Sequence, residues 1–444
     1  MSFGSLTRRS WMQAASTIIA AASVGPASAA ASRPKIAAVF TELRFRSHAY
    51  NFLVNLMGKY VFRGQRTDPG VDVVSFYADQ FPGGDMARDV SRRFQIPLYE
   101  TIDQALCLGG KELAVDGVLL IGEHGEYPLN ELGQRMYPRK QFWDQIVATM
   151  RRSQRFAPVF NDKHLSYRWD WSKSMYDEAQ ELGIPLMAGS SVPLAQRVPP
   201  VDVPSGAIVD EAVSIHGGGM ESYDFHALEV LQSFIEARRG GESGVSRVEL
   251  LAGDQLHRAA AAGRWSQALV DLAMAAEEKA NFQRLPYPGR SNVAANNRPP
   301  ISQLQPRHAL LVQYKDGTRG AALALGSTSD RWNFCCKLSG QKPPIATALY
   351  NGPWGNLCLF TALSNAVAHF FKTGKAAYPV ERTLLVSGIL DAAMHSHQAG
   401  GKPIDTPHLE FSYQSQEFSS FRETGETWQI ITTSTPQPTT FEPY

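Results

Sequence analysis

Continuous apolar runs alternate with amphipathic stretches from Ile36 to Gly189, and this alternation constrains the fold more than any other feature of the chain. The runs are Ile36–Phe40, Val71–Tyr77, IPLY at 96–99, Val115–Ile121, PVFND at 158–162 and IPLMAG at 184–189. Helical spacings lie between them. Phe52, Leu53, Leu56 and Met57 share a face, and further helices are expected over Asp85–Phe94, Thr101–Leu106, Arg139–Arg151 and Ser172–Leu182. Strands without polar alternation, separated by helices, predict an α/β domain with a parallel sheet covered on both faces.

The first strand–turn–helix unit carries the most information. In a dinucleotide-binding fold its turn is G-x-G-x-x-G, because the pyrophosphate must approach bare backbone N–H groups at the helix N-terminus. Between Lys35 and Met57 there is no glycine, and Thr41, Glu42, Leu43, Arg44, Phe45 and Arg46 stand in that place. The frame is Rossmann-like and the phosphate cradle is missing from it.

The pattern changes after the proline-rich passage VPLAQRVPPVDVPSG at 192–206. Strand-like pieces cluster at Val245–Leu251, Ala309–Lys315, Arg319–Leu325 and Trp332–Leu338, with a hairpin signal at Asp316-Gly317. A long loop is expected over 284–306, and two late helices over Phe360–Phe371 and Glu381–His397. This half reads as α+β with a large, mostly antiparallel open sheet. The expected divisions are a signal segment at 1–31, a Rossmann-like domain at 34–190, an α+β domain at 191–415 and a tail at 416–444.

A hydrophobic share of 43% and a net charge of +1 over 444 residues read as a globular protein of two to three domains. No basic run makes a case for nucleic acid. Arg8 and Arg9, a mildly apolar stretch from Trp11 to Val24, Pro26 and the small residues Ala27-Ser28-Ala29 resemble a twin-arginine export signal. The stretch is short and alanine-rich for a retained anchor. The mature chain is therefore expected in the periplasm or otherwise outside the cytoplasm, with no stable membrane span. Cys107, Cys335, Cys336 and Cys358 show neither a disulfide framework nor metal-ligand spacing, and are expected as structural thiols. His395 and His397 have no metal spacing and are expected at the surface.

The order of these segments resembles the glucose–fructose oxidoreductase / inositol dehydrogenase / MocA family over roughly residues 34–410. The resemblance rests on FQIPLYETIDQAL followed by VDGVLLIGEHGEYP, on PVFNDKHLS with GIPLMAGSS, on DGTRGAALALGSTSDRWNFCCKLSG, and on GGKPIDTP. It implies a Rossmann half, a second half with an open antiparallel sheet, an NAD or NADP cofactor and a sugar- or polyol-like substrate. It also implies pairing of two copies through the open sheet. Lys163 falls where the family has the lysine of Glu-Lys-Pro, which touches nicotinamide and substrate hydroxyl; Asp162 stands for its glutamate and His164 for its proline. His226 falls at the family's proton-exchanging histidine, with Ser222 in place of its aspartate and Glu221 and Asp224 as nearby carboxylates.

Other candidates follow from position. Asp79, just beyond the second strand, suits a ribose hydroxyl or merely starts a turn. Glu123, His124 and Tyr127 lie at the carboxyl end of a central strand, where ligands of open α/β sheets collect. Glu42, Arg44 and His48 come from the first turn. Lys163 and His226 are expected to face one cleft. Three readings stand at this point: hydride transfer between NAD(P) and a sugar- or polyol-like alcohol, a non-redox relative that binds a sugar-like ligand or a protein, and an NAD-assisted glycosidase.

Overall fold

Successive side chains of Lys35–Phe40 (β1) enter two different cores, which is why this strand has no polar alternation. Ile36, Ala38 and Phe40 pack on one side of the sheet and Ala37 and Val39 on the other, all fully buried. In Gly117–Ile121 (β6), Leu119 and Ile121 join the first core and Val118 and Leu120 the second. The computed structural model describes residues 32–285 and 305–443. The expected signal segment and nearly all of the expected long loop lie outside the described residues.

Asp72–Ala78 (β4), Leu98–Tyr99 (β5), Val159–Asp162 (β7) and Leu186–Gly189 (β8) complete a six-stranded sheet in the order β5-β4-β1-β6-β7-β8. Every pair in it is parallel. Its connecting helices are His48–Leu56 (α1), Ala87–Phe94 (α2), Ile102–Cys107 (α3), Arg139–Ser153 (α4) and Trp169–Leu182 (α5). A hairpin of Tyr60–Phe62 (β2) and Gln65–Thr67 (β3) follows α1; the sequence reading had no strands there.

The second sheet is built from Gln196–Val198 (β9), Val209–His216 (β10), Val245–Ala252 (β11), Pro306–Tyr314 (β12), Arg319–Leu325 (β13), Trp332–Leu338 (β14), Ile345–Tyr350 (β15) and Ile404–Asp405 (β16). Its order is β16-β11-β12-β13-β10-β14-β15-β9, antiparallel except for the β10–β13 pair. The hairpin at Asp316-Gly317 joins β12 to β13 as expected, with Gly317 at φ 92°. The sequence reading missed β10, although it is central. Its buried positions include Ser214 and His216, and their polar atoms are satisfied internally, Ser214 Oγ donating to Ala227 O at 2.8 Å.

Ser222–Ile235 (α6) and Val380–Gln398 (α10) pack on one face of this sheet. On the other face, Gly253–Ala261 (α7) and Gln267–Ala280 (α8) bury Val213, Ile215, Leu323 and Cys335 against Trp265, Leu269, Val270 and Met274.

The last elements return to the first sheet. Asn356–Thr373 (α9) sends Phe360, Leu363, Val367 and Phe370 into the core that holds Phe52 and Leu53 of α1. Residues 416–443 follow α1 and the β2–β3 hairpin. Tyr50 donates to Thr440 O at 2.7 Å, Arg63 Nε to Arg422 O at 2.8 Å, and Phe441 is fully buried. All four cysteines are buried and free, and His395 and His397 are exposed. Among the described residues no helix is long and apolar enough to cross a membrane.

Helix α10 ties the two sheets together through buried polar contacts. Arg382 and Glu236 form a two-pronged pair at 0% and 2% side-chain exposure, with Nε to Oε2 at 2.9 Å. Thr383 Oγ1 donates to Glu229 Oε1 at 2.8 Å and lies 3.0 Å from Ala188 O of β8. Burial pushes the Glu229 carboxyl up to about 7. A folded-state value above the unfolded one contributes stability that is complete below the unfolded value and lost as pH rises through 7. Glu229→Gln should therefore flatten the loss of stability between pH 5 and pH 8 by up to about 3 kcal/mol, read from urea unfolding at the two pH values.

Candidate functional site

The carboxyl ends of β6 and β7 and the start of α6 converge on a cavity of about 250 Å³, lined by Glu123, Tyr137, Lys163, His164, Glu221 and Ser222 among others. Lys163 Nζ lies 3.0 Å from His226 Nε2 and 3.4 Å from Glu123 Oε1. Arg139, 1% exposed at the start of α4, donates from Nη2 to Glu123 Oε2 at 2.5 Å and approaches His164 Nε2 at 3.2 Å.

Hydrogen bonding fixes the tautomers. The Lys163 ammonium can only donate, so neutral His226 accepts it at Nε2 and carries its proton on Nδ1, which it donates to Ser190 Oγ at 2.6 Å. His164 donates from Nδ1 to Ser166 O at 2.7 Å and accepts Arg139 at Nε2. Both rings are neutral bases turned toward cations.

Three backbone conformations here are unusual. His124, Lys163 and Glu221 have φ of 71°, 71° and 65°. Most other non-glycine residues with positive φ among those described end helices, where that conformation is ordinary; these three do not. Lys163 and Glu221 line the cavity and His124 follows Glu123, which does, so the strained backbone marks a site whose surroundings hold it in place.

Glu221 is held by a clasp beneath α6. Asp224 Oδ1 accepts His216 Nε2 at 3.0 Å and His308 Nε2 at 2.8 Å, while Asp224 Oδ2 accepts the Glu221 backbone N–H at 2.8 Å. The Glu221 side chain accepts the Asp224 N–H in return. His216, Asp224 and His308 are also a possible cation set. However, Gly218 N–H points at His216 Nδ1 at 3.3 Å, which puts the ring proton on Nε2, facing the carboxylate. The cluster is a hydrogen-bonded clasp.

The two cavity carboxylates titrate apart. Burial would raise Glu123, but the Lys163 and Arg139 charges outweigh it and hold the carboxyl well below the usual range. Burial and the Glu123 charge push Glu221 up to about 7. Desolvation, then the Lys163 charge, holds His226 well below its ordinary value, and desolvation with Arg139 takes His164 down to about 3.

The other candidates lie nearby but outside this cavity. Asp162 turns away from Lys163 to His48, Oδ2 to Nδ1 at 2.6 Å. Glu42 pairs with Arg44, whose Nη2 lies 3.2 Å from His124 Nδ1. Asp79 accepts Tyr77 OH at 2.9 Å and Tyr127 OH at 2.5 Å. Gln80 and Glu126 exchange two further bonds at 3.1 and 2.8 Å, so the loops after β4 and β6 are laced together.

The turn between β1 and α1 does not fit a pyrophosphate. Thr41, Glu42, Leu43 and Arg46 are buried at 3% exposure or less, filling the space with their own side chains. Leu43 N–H is taken by Asp85 Oδ2 at 2.7 Å, and Arg44 and Tyr50 N–H by Ser47 Oγ, each at 3.3 Å. The backbone donors of Leu43, Arg44 and Tyr50 are thus taken within the protein, and the carboxylates of Glu42 and Asp85 flank the place where a phosphate's charge would come.

Similar folds are known. No family model matches the sequence, and no curated protein does. The NAD complex of GenD2 from gentamicin A biosynthesis matches 84% of this chain and 96% of its own, with 13% identity and a TM-score of 0.53. An oxidoreductase from Agrobacterium radiobacter, in complex with NAD+, L-tartaric acid and magnesium, matches 84% of this chain and 98% of its own, with 12% identity and a TM-score of 0.50. The chain thus shares the fold of these two proteins, a parallel α/β sheet followed by a large, mostly antiparallel one.

Sequence reasoning missed Arg139, Ser190 and Asp85. Arg139 follows Tyr137-Pro138 at a helix start, a context with no motif; only three-dimensional burial reveals its part. Glu123→Gln should lower stability by roughly 3–5 kcal/mol at pH 7, because it leaves Arg139 and Lys163 buried without their countercharge. In the parent, Glu123's folded value lies below the unfolded one, so its contribution is present above the unfolded value and lost as pH falls. Chemical denaturation at pH 7 and pH 4 reads both effects, with the difference between variant and parent shrinking at pH 4.

Proposed function

We propose that this chain binds a small sugar- or polyol-like ligand in the cavity between Glu123, Lys163 and Glu221, and acts on it without a dinucleotide. The observation that carries this reading is the closed β1–α1 turn, with Leu43 N–H on Asp85 and Asp79 under two tyrosine hydroxyls. A cavity of about 250 Å³ suits a compact polar molecule, and its lining alternates donors and acceptors as a polyhydroxylated ligand requires. Lys163 has three N–H bonds and two described partners, which leaves one for a ligand. His226 then positions Lys163 by accepting from it. Export by the twin-arginine route is the setting proposed from Arg8 and Arg9.

Hydride transfer between NAD(P) and a sugar-like alcohol is the second reading. It draws on the Lys163–His226 contact of 3.0 Å, two residues that the family resemblance assigns to one reacting centre. It requires the β1–α1 turn and the laced loops to open. The NAD-assisted glycosidase needs the same opening.

Thermal unfolding separates these readings. A ligand at 100 times its Kd adds about 2.7 kcal/mol to stability, several degrees in Tm. NAD and NADP at millimolar concentration should leave the Tm of the full chain unchanged. A clear rise with either would return the hydride-transfer reading.

A further inference from the structure

The two carboxylates of the cavity are held in opposite ways. Glu123 is locked between Arg139 Nη2 at 2.5 Å and Lys163 Nζ at 3.4 Å. The only ion-pair partner of Glu221 among the described residues is His164 Nε2 at 3.8 Å, and that nitrogen already accepts from Arg139. One Glu221 oxygen takes the Asp224 N–H, which leaves the other for the cavity. A fixed ammonium donor and an uncommitted carboxylate therefore face the same small space.

We propose that Glu221 removes a proton from the carbon beside a carbonyl group whose oxygen is held by Lys163. The substrate class is the α-hydroxy aldehydes and ketones of roughly three to six carbons, sized to the cavity. This deepens the sugar-like ligand reading and rests on it.

The step balances without a cofactor. The Glu221 carboxylate takes the C–H proton, the C–H electron pair becomes the C=C bond of an enediolate, and the carbonyl π pair moves onto the oxygen facing Lys163. The Lys163 ammonium stabilises that developing charge, and Glu123 with His226 keeps it aimed. Return of the proton from the Glu221 carboxylic acid to the same carbon restores the substrate. Exchange of the acid's proton with water in between labels that carbon from solvent.

The pH dependence follows from the groups around Glu221: Glu123 after β6, Arg139 on α4, Lys163 and His164 after β7, and Asp224 on α6. With its carboxyl raised to about 7, Glu221 is protonated and idle below that pH and a competent base above it.

Deuterium exchange tests this directly. The full chain is incubated in D2O with dihydroxyacetone, D-erythrulose or D-fructose, and loss of the C–H signal beside the carbonyl is followed by proton NMR. Saturation-transfer NMR with the same compounds reports binding. At least one compound should exchange about tenfold faster than in buffer, with a rate that rises through pH 7 and then levels. Glu221→Gln, whose amide oxygen can still accept the Asp224 N–H, should cut exchange by roughly 100-fold while binding persists. Lys163→Met should slow exchange and weaken binding together. Binding without exchange would overturn the proton-transfer chemistry and leave the ligand reading standing. Absence of binding by all three compounds would overturn both, and exchange undiminished in Glu221→Gln would overturn the role of Glu221.

Discussion

The burial of one carboxylate at the end of β6 is the constraint on which the rest of the site depends. Glu123, nearly buried, stays ionised because cations meet it, and it draws Arg139 from α4 and Lys163 from the end of β7. Arg139 in turn fixes the His164 tautomer, and Lys163 fixes that of His226. Thr41 Oγ1 donates to Glu123 O at 2.5 Å, tying the first turn to the same point. A single buried charge thereby orients side chains from three separate segments, and its own backbone carbonyl anchors the first turn. Such networks are costly to leave half satisfied, and they make the local arrangement rigid.

The same edge of the sheet is closed on its other side. In the fold's nucleotide-binding use, backbone N–H groups after β1 and the loops after β4 and β6 receive the cofactor. Here one group from each of these places has an internal partner: Asp85 for Leu43 N–H, Tyr77 and Tyr127 for Asp79, Gln80 for Glu126. The fold is retained while these groups at the crevice bond within the protein. What stays open is the cavity toward the second sheet, with Lys163 and Glu221 on it. Fold likeness alone does not decide function, and the chemistry follows from the groups that remain available.

Much of the architecture was legible in the sequence because burial on both faces writes unbroken apolar runs. β1, β6 and β8 are such runs, and the Asp316-Gly317 turn announced its hairpin. β10 was not legible, since VDEAVSIH carries polar residues whose partners come from α6, β13, β14 and the start of α8. The covering of the second sheet by α7 and α8 also escaped, because nothing local says which face a helix will occupy. Within the site, Lys163 and His226 were brought together by the family resemblance, and they meet at 3.0 Å. Arg139 and the distinct behaviour of Glu221 depend on contacts between distant segments and on a φ of 65° that no residue type signals.

The central claim is that the dinucleotide's place is taken by the protein itself. Mass spectrometry of the small molecules released on denaturing freshly purified, folded full-length chain measures it most directly, since related folds are known as NAD complexes. The account predicts no NAD or NADP above the background of an unrelated protein purified in parallel. Release of either dinucleotide at close to one molecule per chain would contradict it.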